Sequence, residues 1–306
     1  PRFETAYEYS DCWVEDSRLV VLNARDAENR GASIQTREKV IKADVIDGIW
    51  EIQTQSTITG ETNKVTAKMI VNAAGPWVSD VLRGTLKSNQ KDKVRLVRGS
   101  HIVTKRLFNH DKCYFFQGTD GRIIFAIPYE TDFTLIGTTD ADHDDPQKKP
   151  ICTPAERNYL IEFINEYLAE PITSEDIVWT FSGVRPLYND GAKSASAATR
   201  DYVLKLDQSC GAPTLNVFGG KITTYRRLAE SALEKISEAI PVVRDKWTAG
   251  VALPGGDFEV DGLISIEDLI EQVIGEIEDE HDPAEGDFWV VEKPGSYLAQ
   301  AKTPLD

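Results

Sequence analysis

The chain has 306 residues, 41% hydrophobic and 9% aromatic, and no uninterrupted apolar run approaches the roughly 18 residues of a membrane-spanning helix, so a disordered chain and a helical membrane protein are both excluded. The formal net charge of −16 is lopsided: from Asp257 onward 15 acids face two bases, Lys293 and Lys302, which leaves −3 for everything before. That balance argues against nucleic acid as a partner, and four cysteines (Cys12, Cys113, Cys152, Cys210) without C-x-x-C spacing suggest neither zinc nor a disulfide framework and fit a reducing compartment.

The length leaves room for about two domains. Residues 16 to 31 read as a helix, with Asp16 as N-cap, an apolar stripe of Leu19, Val20, Leu22 and Ala27, and Gly31 at the C-terminal glycine position. Val45 to Thr57 and Thr62 to Val71 flank the turn Ile58-Thr-Gly-Glu61 and predict a hairpin whose second arm runs into Asn72-Ala-Ala-Gly75. Leu96 to Val103, Cys113 to Phe116, Arg122 to Ile127 and Phe133 to Gly137 predict a mostly antiparallel sheet. Thr153-Pro-Ala-Glu156 is a capping box with proline at the first helical position, and Leu160, Ile161, Ile164, Tyr167 and Leu168 on one face predict a helix over 154–169. Short strands follow at Ile177 to Phe181, Tyr202 to Leu206 and Thr214 to Phe218, and Gly219-Gly220 introduces a helix closed by Pro241. Charge density changes abruptly near Pro254-Gly-Gly256, and Leu263, Ile266, Ile270 and Ile274 suggest an amphipathic helix in the acidic segment beyond it.

Several segments could carry chemistry. A glycine pair between strand and helix lets backbone N–H groups approach an electron-rich ligand atom, with Lys221, Thr223 and Thr224 as added donors. An ordinary tight turn is the plain alternative. Arg185, held between Val184 and Pro186 after Ser182-Gly183, suits bidentate recognition of phosphate or carboxylate and equally a structural salt bridge. Arg122 and Arg200 are each, taken alone, surface charges as readily as ligands. The run Asp140-Ala-Asp-His-Asp-Asp145 lacks the glycine and distal glutamate of a calcium loop and reads as a solvated acidic turn rather than a metal site. His101, on a strand after Gly99-Ser100, is the histidine best placed to face a site. G-x-S-x-G, H-E-x-x-H and G-x-G-x-x-G are all missing.

Glu8-Tyr-Ser-Asp-Cys-Trp13, Val71-Asn-Ala-Ala-Gly-Pro-Trp77, Leu96-Val-Arg-Gly-Ser-His101, Ile136-Gly-Thr-Thr-Asp140, Trp179-Thr-Phe-Ser-Gly-Val-Arg-Pro-Leu187, Thr199-Arg-Asp-Tyr202 and Val217-Phe-Gly-Gly-Lys-Ile-Thr-Thr-Tyr225 occur in this order over residues 6 to 256. Together they resemble the FAD-dependent, respiratory glycerol-3-phosphate dehydrogenases and the related glycerol-phosphate oxidases. The resemblance implies an α/β (α+β) chain: part of a Rossmann-like FAD domain in residues 1–79 and 213–250, an antiparallel substrate domain in 80–212, and an acidic segment in 251–306. It implies FAD contacts at Asn72, Ala73, Ala74, Gly75, Gly183, Gly219, Gly220, Lys221, Ile222, Thr223 and Thr224, a substrate cavity with Arg122, Arg185 and Arg200, Arg185 taking the phosphate, and His101 and Lys221 as catalytic residues, His101 close to the reacting hydroxyl as candidate acid/base and Lys221 near Arg185.

The implied reaction oxidises glycerol 3-phosphate to dihydroxyacetone phosphate, with electrons passing to quinone, or to oxygen in the oxidase variant. The implied setting is cytoplasmic, with the intact enzyme peripheral on the inner membrane, and it leaves room for a homodimer. The family's pyrophosphate-binding glycine motif is not in this sequence, so the chain reads as a fragment that alone holds FAD weakly and does not turn over. A non-catalytic module with residues 257–306 as an acidic docking tail is the alternative of a different class.

Overall fold

The computed structural model describes residues 6–10, 14–119, 121–191, 199–241 and 246–257, and the backbone of 289–293 and 296–299. Two compact units are present, Pro1–Ile34 with Val251–Asp306, and Gln35–Gly250. In the first, helix α1 (Asp16–Asn29) is capped by Glu15, whose side chain accepts from the Arg18 N–H at 2.6 Å, so Asp16 is displaced from the predicted cap into the first turn. Gly31 takes the expected left-handed conformation just past the helix end, at φ 96°. The apolar stripe of α1 contains no buried residue. The same unit holds an antiparallel strand pair, Trp289–Lys293 with Ser296–Ala299. The amphipathic helix read around Leu263 to Ile274 lies outside the described residues.

The second unit opens with a three-stranded antiparallel sheet, β1 (Glu38–Ile46), β2 (Ile49–Ser56) and β3 (Thr62–Ala67). The predicted single arm from Val45 to Thr57 is in fact two strands. Asp47 and Gly48 both have positive φ, 50° and 78°, the geometry of a two-residue hairpin turn between Ile46 and Ile49. The 62–71 arm likewise breaks after Ala67, because β4 (Ile70–Asn72) leaves to join another sheet. Trp50, 1% exposed, anchors this first sheet with Ala43, Leu86 and Ala212, and its indole N–H donates to the Pro213 carbonyl at 2.9 Å. After β4 a 3-10 turn at Gly75–Trp77 leads into the short helix α2 (Val78–Asp80).

The central sheet follows: β5 (Val94–Lys105), β6 (Tyr114–Gln117), β7 (Ile123–Tyr129), β8 (Phe133–Gly137) and, after a helix, β10 (Ile177–Tyr188), ordered β10-β5-β8-β7-β6, with β9 (Ala141–Asp142) also paired to β5. Helix α3 (Pro154–Asn165) has the predicted capping box. Its Leu160, Phe163 and Ile164 bury against Ile102, Ile124, Ala126 and Ile136 from one sheet face. At about 2 kcal/mol for each fully buried large aliphatic side chain, this contact is the main reason the sheet stays covered on that side. β10 is longer than predicted, running through Ser182 to Leu187 instead of ending at Phe181, because every residue from Trp179 to Tyr188 has a partner on β5.

β11 (Tyr202–Asp207) and β12 (Thr214–Gly219) form a third sheet with β4, the β12–β4 pair being parallel. β12 is buried along its length up to Phe218, as an apolar strand covered on both faces should be. Gly219 and Gly220 then turn the chain at φ 70° and 100° into a 3-10 turn, Ile222–Thr224, and helix α4 (Tyr225–Ser237).

Candidate active site

Side chains alternate along a strand, so the register divides the central sheet into two chemically different faces. On the α3 face stand Arg98, Ser100 and Ile102 of β5. On the other face stand Gly99 and His101 of β5, Gly137 of β8, Phe125 of β7, and Phe181, Gly183 and Arg185 of β10, with His101 opposite both Phe181 and Gly137, and Gly183 opposite Gly99. This second face carries half-exposed aromatics: Trp179 at 55%, Phe115 at 45% and Phe125 at 39%.

His101 and Arg185 meet on that open face. The imidazole stacks on Phe181 with ring centroids 4.7 Å apart and planes 8° from parallel, and its Nδ1 is buried without a hydrogen-bond partner. Burial, helped by the nearby positive charge of Arg185, lowers its pKa to about 4. The Arg185 guanidinium lies across Gly99, where a Cβ would come within 2.6 Å of Nη2, so a residue without a side chain is required there. Nη1 donates to Asp140 Oδ1 at 2.8 Å, Nη2 to Thr138 Oγ1 at 3.0 Å, and Asp140 Oδ2 lies 3.7 Å from Nη2 of Arg200. The salt-bridge reading of Arg185 and its ligand reading therefore coexist: Asp140 fixes two arginines side by side.

Behind the sheet, Glu156 of the α3 capping box has a second set of partners that sequence reasoning missed. Oε1 accepts from Ser100 Oγ (2.9 Å), Thr139 Oγ1 (3.0 Å) and Arg98 Nε (3.2 Å), and Oε2 accepts from Arg98 Nη2 (2.9 Å) and Thr153 Oγ1 (2.7 Å). Burial alone would raise its pKa, but the hydrogen bonds from Arg98, Thr153 and Ser100 prevail and hold it at about 2.

The other sequence-predicted residues divide into two groups. β10 carries Gly183, an exposed position with open space above it, and its next residues meet two more candidates: Pro186 Cγ lies 3.9 Å from a Cβ built on Gly75, and the Pro186 carbonyl 3.7 Å from one built on Gly219. Gly220, Lys221, Ile222, Thr223 and Thr224 follow at the start of the α4 segment, where Lys221 is exposed and makes no ion pair among the described residues. Ala73 and Ala74 connect β4 to the Gly75 turn. Two candidates stand apart. Asn72 is 4% exposed with its amide donating to Val78 O and Asn216 Oδ1, so its side chain serves the packing of the third sheet. Arg122 extends over the Tyr159 ring of α3, 5.1 Å from its centroid, away from Arg185 and His101.

The acidic run is corrected as well. Asp140 is largely withdrawn from solvent and pairs with Arg185, whereas Asp142 is exposed, as read, but held by Arg95 through two bonds of 2.8 and 3.0 Å. No group of three His, Cys, Asp or Glu side chains among the described residues could hold a metal ion. A hollow of about 440 Å³ beside Arg83, Lys93, Arg95 and His143 contains none of the candidates.

A family model described as FAD dependent oxidoreductase matches residues 1–226. The chain belongs to the FAD-dependent oxidoreductase family. Within it, relatives include enzymes named for phosphorylated polyols. The chain is 45% identical over 257 residues to the D-erythritol 1-phosphate dehydrogenase of Brucella abortus, covering 84% of this chain and 51% of that protein. It is 40% identical over 262 residues to the aerobic glycerol-3-phosphate dehydrogenase of Escherichia coli, covering 85% and 52%. The structure of a glycerol-3-phosphate dehydrogenase from Bacillus halodurans complexed with FAD matches at a TM-score of 0.67 and 29% identity, over 78% of this chain and 46% of that one. The chain thus spans about half the length of the curated relatives it matches. Its mixed α/β architecture is shared with that FAD-bound structure over the matched part. Among the described residues no helix is long and apolar enough to cross a membrane.

Proposed function

We propose that the protein oxidises a secondary hydroxyl of a phosphorylated polyol, with glycerol 3-phosphate giving dihydroxyacetone phosphate as the leading assignment. The observation that carries this is the pairing of Arg185, aligned by Asp140, with a neutral His101 on one open face. A guanidinium held by a carboxylate is pre-oriented for a phosphate, and Arg200 on the same carboxylate adds a second positive charge. A neutral imidazole keeps one unprotonated ring nitrogen, which can accept the hydroxyl proton. A phosphate dianion seated on Arg185 offsets the positive charge that helps lower the His101 pKa, so substrate binding raises the basicity of the group that must take the proton.

The residues present fit a flavin. Gly183 leaves the sheet surface open beside Phe181 and Trp179, and Gly219 and Gly220, at φ 70° and 100°, turn the chain tightly against the Asp201 carbonyl into the exposed start of the α4 segment. In this assignment Ala73, Ala74, Gly75, Gly183 and residues 219–224 border the flavin, Lys221 faces the substrate, and Arg122 has no part in binding. The chemistry the flavin supplies when bound is hydride acceptance. Residues 1–79 with 213–250 would belong to the FAD domain and 80–212 to the substrate domain, with quinone as acceptor and the complete enzyme peripheral on the cytoplasmic face of a membrane.

A second reading, D-erythritol 1-phosphate as substrate, is favoured by the 45% identity to the Brucella abortus enzyme. The test is dye reduction by the FAD-loaded complete protein with each polyol phosphate, and with glycerol lacking phosphate. Turnover of one phosphorylated polyol, with KM raised about 30- to 100-fold in Arg185→Ala, is the expected result. Equal activity on glycerol, or unchanged kinetics in Arg185→Ala, would overturn it. Peroxide formation in place of quinone reduction would reassign the acceptor to oxygen.

A further inference from the structure

We infer that Glu156 is a positioning residue for Arg185, acting from the opposite face of the sheet through Thr139. Three observations converge. Glu156 Oε1 accepts from the Thr139 hydroxyl at 3.0 Å and from the Ser100 hydroxyl at 2.9 Å, and Thr139 is 3% exposed. Thr139 Oγ1 accepts in turn from the Ser100 backbone N–H at 2.9 Å, so one hydroxyl ties the chain after β8 both to β5 and to α3. The residues on either side of Thr139 are the ones that seat the arginine: Thr138 Oγ1 takes Nη2, Asp140 Oδ1 takes Nη1, and the Thr139 carbonyl itself lies 3.4 Å from Nη1. Because the Thr139 side chain turns to Glu156 while those of Thr138 and Asp140 turn to Arg185, anchoring the middle residue sets where its neighbours present their acceptors. A carboxylate kept ionised by Arg98 is a fixed anchor, and the arrangement is a buried polar network in which each member is satisfied. The function of the seat as a phosphate site rests on the reading proposed above, but its geometry does not.

The test is the ¹⁵N–¹H spectrum of the Arg185 guanidinium in the full chain near pH 7, assigned by its loss in Arg185→Lys. In the unsubstituted protein, restrained rotation gives resolved, slowly exchanging N–H signals. Thr139→Val, which alters no charge, should broaden or abolish them; Thr139→Ser, which keeps the hydroxyl, should restore them; Thr153→Val, which damages the same helix cap through Oε2, should leave them in place. Should the valine variant not fold, Glu156→Asp, which keeps the charge but withdraws the carboxylate, is expected to give the same loss. Unchanged Arg185 signals in Thr139→Val or Glu156→Asp, or equal loss in Thr153→Val, would overturn the inference. In the FAD-loaded complete enzyme, Thr139→Val should raise KM for glycerol 3-phosphate about tenfold with kcat within about twofold. No turnover by the unsubstituted enzyme counts against the proposed function alone, since the spectrum needs no substrate.

Discussion

Gly137 runs directly beneath the imidazole of His101: a Cβ built on Gly137 would overlap Cδ2 and come within 2.9 Å of Nε2. The ring is sandwiched between this bare backbone and its stacking partner Phe181 on the other neighbouring strand. Gly137→Ala is therefore expected to expel the imidazole from its stack, at a cost of about 1–3 kcal/mol for overpacking. Urea denaturation would measure the loss, and the upfield ring-current shift of the His101 protons would disappear. A variant with native stability and an unmoved His101 signal would show that the strand yields instead.

The buried imidazole also makes stability depend on pH. His101 titrates at about 4 in the folded chain against an ordinary 6.5, so between these values the unfolded state binds the extra proton. Stability is complete above pH 6.5 and falls as pH drops toward 4, by about 3 kcal/mol at most. Comparing urea midpoints at pH 7 and pH 5 for the wild-type chain and His101→Gln tests this: the substitution should flatten the dependence.

Arg98 and Glu156 form a pair buried beneath the sheet, with side chains 17% and 10% exposed. Truncating Arg98 leaves the Glu156 carboxylate without its strongest partner in a place water barely reaches. Arg98→Ala should destabilise the protein by about 3–5 kcal/mol, more than any exposed ion pair could contribute. Its signature is a changed acid limb. Glu156, held at about 2, contributes stability that is present above about 4.5 and lost as pH falls toward 2. In Arg98→Ala that limb should shift to higher pH.

Trp50 joins two sheets, since its ring fills the core under β1 and β2 while its N–H reaches the carbonyl of Pro213, just ahead of β12. Trp50→Phe removes this donor and leaves the Pro213 carbonyl with the Ile70 N–H alone, at 3.2 Å, an expected loss of about 1 kcal/mol. Thermal unfolding followed by circular dichroism would check it. A midpoint unchanged within error would mean that the Ile70 N–H alone satisfies the carbonyl.

Arg122 provides the complementary control. It sits over Tyr159 on the α3 side of the register, so Arg122→Ala in the FAD-loaded complete enzyme should leave KM for the phosphorylated polyol within about twofold. A KM increase comparable to that of Arg185→Ala would return it to the substrate site.

The sequence by itself determined the local pieces. The Thr153–Glu156 capping box and the apolar period read over 154–169 set α3, which ends at Asn165, and alternation set β5 to β8 to within two residues at each end, because caps and periodicity act within a few positions of chain. It also supplied His101, Arg185 and the glycines of the 219–220 turn as candidates. Where local signals compete, the outcome was less legible: Asp47-Gly48 was a hairpin signal hidden inside one apolar run, and β10 continued through Gly183 and Pro186 because β5 offers partners along its whole length. What only the tertiary structure decided is who meets whom. Asp140 reaches Arg185 across 45 positions and Ser100 reaches Glu156 across 56, and nothing in the spacing of those residues distinguishes such a partner from a solvated acid. Register carries that information: the pairing of β10 and β8 with β5 puts Arg185 and His101 on the open face, Glu156 and Arg98 on the covered one, and Thr139 where a single hydroxyl links the two.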